Sequence, residues 1–309
     1  MERTVNITNL FTNYVRKGHD EVNISINEYT YAPNIDLEND WLSFAFCAFK
    51  TLKNMATTNL ESALVIGSGN GTDAVAISKI FKPNKLCVTD VMSNTLPIIE
   101  KNIKRIVPNQ NFELIQSDLF EKVDRQKFKL IYENLPNIPC KLLNKDLESG
   151  INSSSYISDK YINNGIYSKY LLDLHHTFLK ECKEYLDDNG YAICNIGIRF
   201  PVDIYDKLFT ELDYTYQILV MGIKEQTEAT DVLSGYLEAS NEYDVEMYYY
   251  RLDMLESSQL GKIILPSNEE RNNFLNKIKK AKISISEAVK LYNQGVRVGH
   301  LVFTTCVQK

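Results

Sequence analysis

Along the middle of the chain, short apolar runs rich in β-branched residues alternate with longer stretches that mix apolar and charged positions. The runs at 63–66, 86–89, 112–116, 130–132 and 191–196 read as buried strands, being brief and bounded by polar turn residues. The stretches at 73–81, 94–106 and 167–186 read as helices, the last closed by Asn189-Gly190 as a C-cap before the next strand. Such strand–helix alternation predicts a parallel α/β sheet. Further strands are expected at 216–223 and 299–307. Between those two, Ser267-x-x-Glu270 and Ser284-x-x-Glu287 are capping-box signatures that start two more helices. Ahead of the sheet, residues 1–58 hold extended pieces at 22–26 and 29–31 and an amphipathic helix at 37–54. The chain therefore divides into an N-terminal cap (1–58), an α/β core (59–224) and a helical insertion that ends in the last core strand (225–309).

Composition narrows the classes of partner. With 309 residues, 44% hydrophobic and 24% charged, the chain can bury a sizeable core. A net charge of −6 argues against nucleic acid, which binds through basic surface. The one dense basic cluster, Lys277, Lys279, Lys280 and Lys282, reads as a solvated helix face. Cys47, Cys87, Cys140, Cys182, Cys194 and Cys306 show no zinc spacing, so no metal is expected. The first residues lack an export pattern, and the apolar run at 42–49 is too short for a membrane. These features predict a cytoplasmic protein acting on a small molecule, with no nucleic-acid or membrane partner. The N-terminal zone is expected to cover a site or to pair with a second copy, as in a homo-oligomer.

The chemistry concentrates after residue 62. Three of the thirteen glycines, Gly67, Gly69 and Gly71, fall within five residues after the first core strand. A glycine turn there lets backbone approach a ligand and aims helix N-terminal amides at it. Asp90 ends the next strand, about twenty residues on, where a carboxylate can accept from both hydroxyls of a ribose. Asp118 follows the third strand and is placed to reach an adenine amino group. Asn134 follows the fourth. Every one of these stands at the carboxyl end of a strand, the edge at which open α/β sheets bind ligands. Ser68, Val91 and Leu119, adjacent to them, complete the expected cofactor-binding set.

In these residues the chain resembles the class I S-adenosylmethionine (SAM)-dependent methyltransferases over about 59–224. Within that group it is similar to the glutamine and amino-methyltransferases that carry an N-P-P-Y motif after strand four, here Asn134-Leu135-Pro136-Asn137. The resemblance implies a Rossmann-like, seven-stranded class I SAM-binding fold with an N-terminal extension and a helical insertion before the last strand. It also implies SAM as co-substrate, Asp90 on its ribose, Asp118 on its adenine, and Asn134 holding a nucleophilic nitrogen. Two departures stand out. Val65 replaces the family's acidic residue two before the first glycine, and Leu135 and Asn137 replace the motif's first proline and its stacking tyrosine.

A sulfonium is a good leaving group, so catalysis on SAM rests mainly on positioning a nucleophile in line. Asn134, with Tyr167 and Tyr170, forms the expected catalytic set. Tyr29, Tyr31 and Trp41 are further candidates for cation–π contact with the sulfonium. Methylation of a nitrogen in a small molecule or peptide-type acceptor is the leading reading. The alternative is attack by SAM's own amine on its γ-carbon, forming azetidine-2-carboxylate and methylthioadenosine, a reaction of enzymes related to these methyltransferases. Transfer of the aminocarboxypropyl group is a variant of it. A third reading is a SAM-binding module without catalysis. His175, His176 and His300 are read as packing or surface residues.

Overall fold

The computed structural model describes residues 2–15, 20–34, 38–57, 59–139, 156–157, 159–163, 165–228 and 230–309. Cys140 and the expected helix start at residue 37 lie outside them. Seven main strands, β1 (Ser62–Ile66), β2 (Lys85–Asp90), β3 (Phe112–Gln116), β4 (Phe128–Glu133), β5 (Leu186–Ile198), β6 (Thr215–Glu225) and β7 (Val298–Gln308), share one sheet. Their order is 3-2-1-4-5-7-6. Strands β1 to β5 pair in parallel, whereas β7 runs antiparallel between β5 and β6. This is the class I, Rossmann-like arrangement. The sheet also carries three short strands beyond the seven expected: Ile263–Ile264 on β6, Tyr248–Arg251 on β7, and Lys282–Ser284 beside the latter.

Side-chain alternation on the strands separates two cores. Leu64 and Ile66 point to one face, with Phe178, Leu179, Tyr205 and Phe303. Ala63 and Val65 point to the other, with Phe44, Phe49, Val75, Ile99 and Ile103. The first face is covered by helices α4 (Asp173–Tyr185) and α5 (Val202–Thr210), the second by α1 (Trp41–Met55), α2 (Thr72–Phe81) and α3 (Leu96–Ile106). Burial on both faces explains why these strands read as continuous apolar runs. Helix α1 is buried from Leu42 to Phe49, so the N-terminal zone contributes a full layer of the core. An antiparallel pair, Arg3–Asn6 with Asn23–Ile26, adds Ile24 and Ile26 to the same core. No strand forms at 29–31. The insertion supplies α6 (Thr230–Tyr243), α7 (Asn268–Ile278) and α8 (Ile285–Asn293), with α6 and α8 packing around Leu233, Tyr249 and Ala288. Helix α7 begins with the full Ser267/Glu270 capping box, and α8 with Ser284 accepting from the Glu287 amide.

Two sequence expectations are corrected. The helix expected at 167–186 is broken by Leu171 at φ +59°, leaving a short turn (Ile166–Lys169) before α4. That helix ends at Tyr185, with Leu186 already extended, and β5 runs straight through Asn189-Gly190. Gly190 serves the sheet instead. A Cβ there would stand 2.9 Å from the Phe128 carbonyl oxygen, where the β4–β5 register shifts.

The N-terminal zone is joined to the glycine turn by Asn102 of α3, which is fully buried. Its amide donates to the carbonyls of Ser25 and Asn70, each at 2.8 Å, and its oxygen accepts from the Ser25 amide at 2.7 Å. Asn102→Leu keeps the volume but strands these buried backbone groups, each worth about 1–3 kcal/mol. Urea unfolding is expected to show a loss of about 2–4 kcal/mol, and a loss below about 1 kcal/mol would mean that the groups find other partners.

Candidate active site

Strand β1 delivers the chain into the turn Gly67-Ser68-Gly69-Asn70-Gly71, and all three glycines have positive φ (+66°, +57° and +81°). Two of them show why glycine is needed. A Cβ on Gly69 would meet nothing within 4 Å, so this backbone faces open space. A Cβ on Gly71 would lie 3.1 Å from Cα of Ile99, so this one permits close packing of α3. Asn70 organises the rest: its oxygen accepts from the Thr72 amide and hydroxyl at 3.0 and 2.6 Å, and its amide donates to the Tyr31 carbonyl at 2.9 Å.

Asp90, buried at the end of β2, clamps this turn. One carboxylate oxygen accepts from the Gly69 amide at 2.8 Å and the other from the Met92 amide at 2.9 Å. Burial raises its pKa above the usual carboxylate range, and these amides hold it back down. Two amides use about half of a carboxylate's lone-pair sites, so acceptor capacity remains.

A cavity of about 500 Å³ opens along this edge of the sheet. Gly67, Ser68, Gly69, Asp90, Val91, Asp118, Leu119 and Asn134 all line it, while Gly71 stands behind the turn. Val91 is apolar yet 56% exposed, a surface suited to cover by a flat ring. Asp118 accepts from Tyr161 and pairs with Lys160. Tyr29, Tyr31 and Trp41 also line the cavity. Tyr167 and Tyr170 do not. The Tyr167 ring is buried against His176 with its hydroxyl on Glu211 at 2.6 Å, and Tyr170 packs on Phe200. The helix break at Leu171 turns both away from the site.

Beyond Asn134 the cavity meets residues that no local motif announces. Glu133 is fully buried beneath it. One oxygen accepts from the Leu135 amide at 2.9 Å and the other lies 3.1 Å from Nδ1 of His175, so it fixes the loop after β4. His175 lines the cavity and is buried, and its Nε2 has no partner among the described residues. Asn137 accepts from the Tyr236 hydroxyl of α6. Strand β5 contributes Asn195, Gly197 and, just past its end, Arg199. Glu228 accepts from Lys224 at 2.7 Å and Trp41 at 3.1 Å. Burial pushes Glu228 up, but the Lys224 ammonium outweighs it and leaves its pKa below the ordinary value. His300 sits inside β7, its ring tilted against that of Trp41, where burial and the nearby Arg199 and Lys224 push its pKa well below the usual value. Lys277, Lys279, Lys280 and Lys282 are exposed and remote from the cavity. Among the described residues no group of three side chains has metal-site geometry, and no helix is long and apolar enough to cross a membrane.

The acid missing at Val65 has a counterpart. Asp73, in the first turn of α2, lines the same cavity, and its Oδ1 has no partner among the described residues. Burial lifts its carboxyl to about 7, with the Tyr132 hydroxyl drawing it partly back. A raised pKa means the folded state holds more protons than the unfolded chain between about pH 4 and 7. Stability therefore falls as pH rises through that window and levels off above it. Asp73→Asn is expected to flatten this part of the profile, read from urea midpoints between pH 5 and 8, and to gain stability over the parent at pH 8. An unchanged profile would show that Asp73 titrates at its ordinary value.

No family model matches the chain. It is 27% identical over 187 residues to a bifunctional methyltransferase of Rickettsia prowazekii, covering 60% of this chain and 35% of that one. It is 27% identical over 139 residues to the ribosomal protein uL3 glutamine methyltransferase of Francisella tularensis, covering 45% and 42%. The matches thus span well under half the length of these curated relatives. A solved ribosomal protein L11 methylase from Lactobacillus delbrueckii aligns at 14% identity and a TM-score of 0.41, covering 66% of this chain and 79% of that one. By strand order and by sequence likeness together, the chain has the class I Rossmann-like fold and is similar to the SAM-dependent methyltransferases of the glutamine type.

Proposed function

We propose that this chain is a SAM-dependent methyltransferase that methylates a nitrogen of a small-molecule or peptide-type acceptor. The observation that carries this reading is Asp90. Its carboxylate is pinned to the Gly69 and Met92 amides, keeps spare acceptor sites, and lies beside the exposed face of Val91. That combination suits the two hydroxyls of a ribose and the ring of an adenine. SAM, when bound, supplies a methyl group on a positively charged sulfonium. The rings of Tyr31 and Trp41 and the carboxylate of Asp73 line the adjoining part of the cavity and favour a cation there. Asn134 offers an amide oxygen to the incoming nitrogen, and Glu133 holds the loop that carries it. Residues 1–58 and 225–309 supply Tyr29, Tyr31, Trp41, Glu228 and Tyr236 to the cavity lining, which supports a part for both segments in closing the site beside their share of the core.

The relatives' names specify glutamine in ribosomal protein uL3 and, for a Rhodopirellula baltica relative, in a release factor. Asn134 retains the acceptor that such an amide needs. At the motif's fourth position, however, Asn137 is tied to Tyr236 and offers no ring for stacking. That departure favours the second reading, γ-carbon attack within SAM. Asp73 counts against it only in its ionised form, above about pH 7, where a nearby carboxylate keeps an amine protonated and unreactive.

Asp90→Ala is expected to weaken SAM binding at least tenfold in a folded protein, since bonds to a charged acceptor are worth about 1.5–3 kcal/mol. Calorimetry with an unchanged affinity would remove Asp90 from the ribose. The bond that breaks decides between the two reactions. Methyl transfer needs an acceptor and releases S-adenosylhomocysteine, so SAM alone should be nearly inert. Enzyme-dependent methylthioadenosine from SAM alone, measured by mass spectrometry, would establish the γ-carbon reaction instead. In either case Asn134→Ala should slow turnover by about a hundredfold, the scale of a lost positioning contact.

A further inference from the structure

Strands β4 and β5 pair with Glu133 opposite Cys194, which brings Asn134 level with Asn195. By the two-residue alternation of a strand, Asn195, Gly197 and Arg199 follow one another along the same wall, and all three line the cavity. Arg199 is 4% exposed. Its Nε donates to the Tyr249 hydroxyl at 2.9 Å, and its guanidinium lies over the Tyr236 ring at 4.1 Å. Its Nη1 is buried and has no hydrogen-bond partner among the described residues, and none of their carboxylates forms an ion pair with it. Glu228 attracts the guanidinium without bonding to it, so the buried Nη1 donor stays unsatisfied, and a buried donor left unpaired costs stability unless a ligand completes it. Glu228 is the nearest candidate in charge, but it is engaged by Lys224 and Trp41.

A second observation makes room for that group. A Cβ built on Gly197 would stand 2.4 Å from Nη1 of Arg199 and 3.1 Å from the Trp41 ring. Any other residue at 197 would displace the guanidinium from the cavity wall. A planar fork of N–H donors matches a carboxylate. The negative Glu228 at the same end disfavours a dianion such as phosphate.

We propose that Arg199 is a carboxylate-recognition residue in the cavity wall, and that the group it takes is the free carboxylate of a small molecule of amino-acid type. This rests on the methyltransferase reading only for what lies in the rest of the cavity. The carboxylate comes from one of two sources, a second substrate of amino-acid type or the methionyl carboxylate of SAM.

The test compares ligands that differ only in that group, by calorimetry on the full chain. One arm pairs SAM with decarboxylated SAM. The other pairs the free amino acids with their amides, in protein saturated with S-adenosylhomocysteine and in protein without it. At least one pair is expected to show a tenfold or greater preference for the carboxylate. Arg199→Gln should cut that preference to about twofold while leaving the carboxylate-free ligand unaffected, and Arg199→Lys should restore part of it. Preference in the first arm identifies SAM as the source, and preference in the second identifies a separate substrate. Either supports the assignment. Absence of any preference in the unaltered protein overturns it without need of a variant, as does a preference that survives in both variants. SAM and its decarboxylated form binding equally, with no amino acid preferred, would sink this assignment and leave the methyltransferase reading standing. Arg199-dependent binding of amino acids with no SAM binding would do the reverse.

Discussion

The pair of hydrogen bonds that Asp90 accepts from the amides of Gly69 and Met92 is the constraint on which the cavity edge of this molecule depends. Three glycines in five residues form the most freely moving segment a chain can have, and ordering them costs more entropy than ordering any other residues. A buried carboxylate at the end of the neighbouring strand supplies one fixed acceptor across the gap, to the Gly69 amide, and a second to the Met92 amide of its own loop. The Ser68 amide adds a third bond, to the Thr89 carbonyl at 3.0 Å. Behind the turn, Asn102 and Ile99 of α3 close off the remaining freedom. The same carboxylate that holds the turn also lines the cavity, so shaping the turn and presenting an acid to the cavity fall to one side chain.

The other end of the cavity is built differently. Its groups come from β5, from α1 and from the segment between β6 and α6, and charge is buried there in quantity. Lys224 and Glu228 compensate each other at 2.7 Å, and Asp40 is held by Tyr31 and the Asn34 amide, each at 2.6 Å. Arg199 is steadied by aromatic faces and a phenol, and by attraction to Glu228 without a hydrogen bond to it among the described residues. Ion pairs of this kind contribute little net stability once desolvation is counted. Their retention makes sense as placement of charge around a bound molecule, with Trp41, Tyr236 and Tyr249 excluding water between them.

Some of this was readable along the chain, because it depends on neighbours in sequence. The glycine turn, Asp90 and the Ser267/Glu270 box are local signals, set by backbone sterics and by amides three residues away. The double apolar faces of β1, β2 and β4 are equally legible. Gly190 was misread because a glycine after a helix pattern looks the same whether it caps the helix or admits a crossing backbone, and only the Phe128 carbonyl at 2.9 Å distinguishes the two. Tyr167 and Tyr170 are candidates by residue type alone, since an aromatic face suits a sulfonium, and residue type does not say which way a ring points. The left-handed residue at Leu171 redirects them, and nothing in the side chain of a leucine signals it.

The amino-acid sequence by itself therefore determined the parallel α/β architecture, the turn at the end of the first strand and the acids that follow the next two. Each follows from periodicity, glycine conformational freedom or a strand end. Only the tertiary structure decided which distant side chains share the cavity. Trp41 meets Glu228 across 187 residues and Arg199 meets Tyr249 across 50. It also decided that Asp73 stands in the wall where Val65 offers no acid, that His175 faces Glu133, and that Nη1 of Arg199 is left without a partner. Such contacts depend on how strands order themselves in the sheet and how helices lie on it. Those are properties of the packed whole, in which burial gives each charge its environment, and no window of sequence contains them.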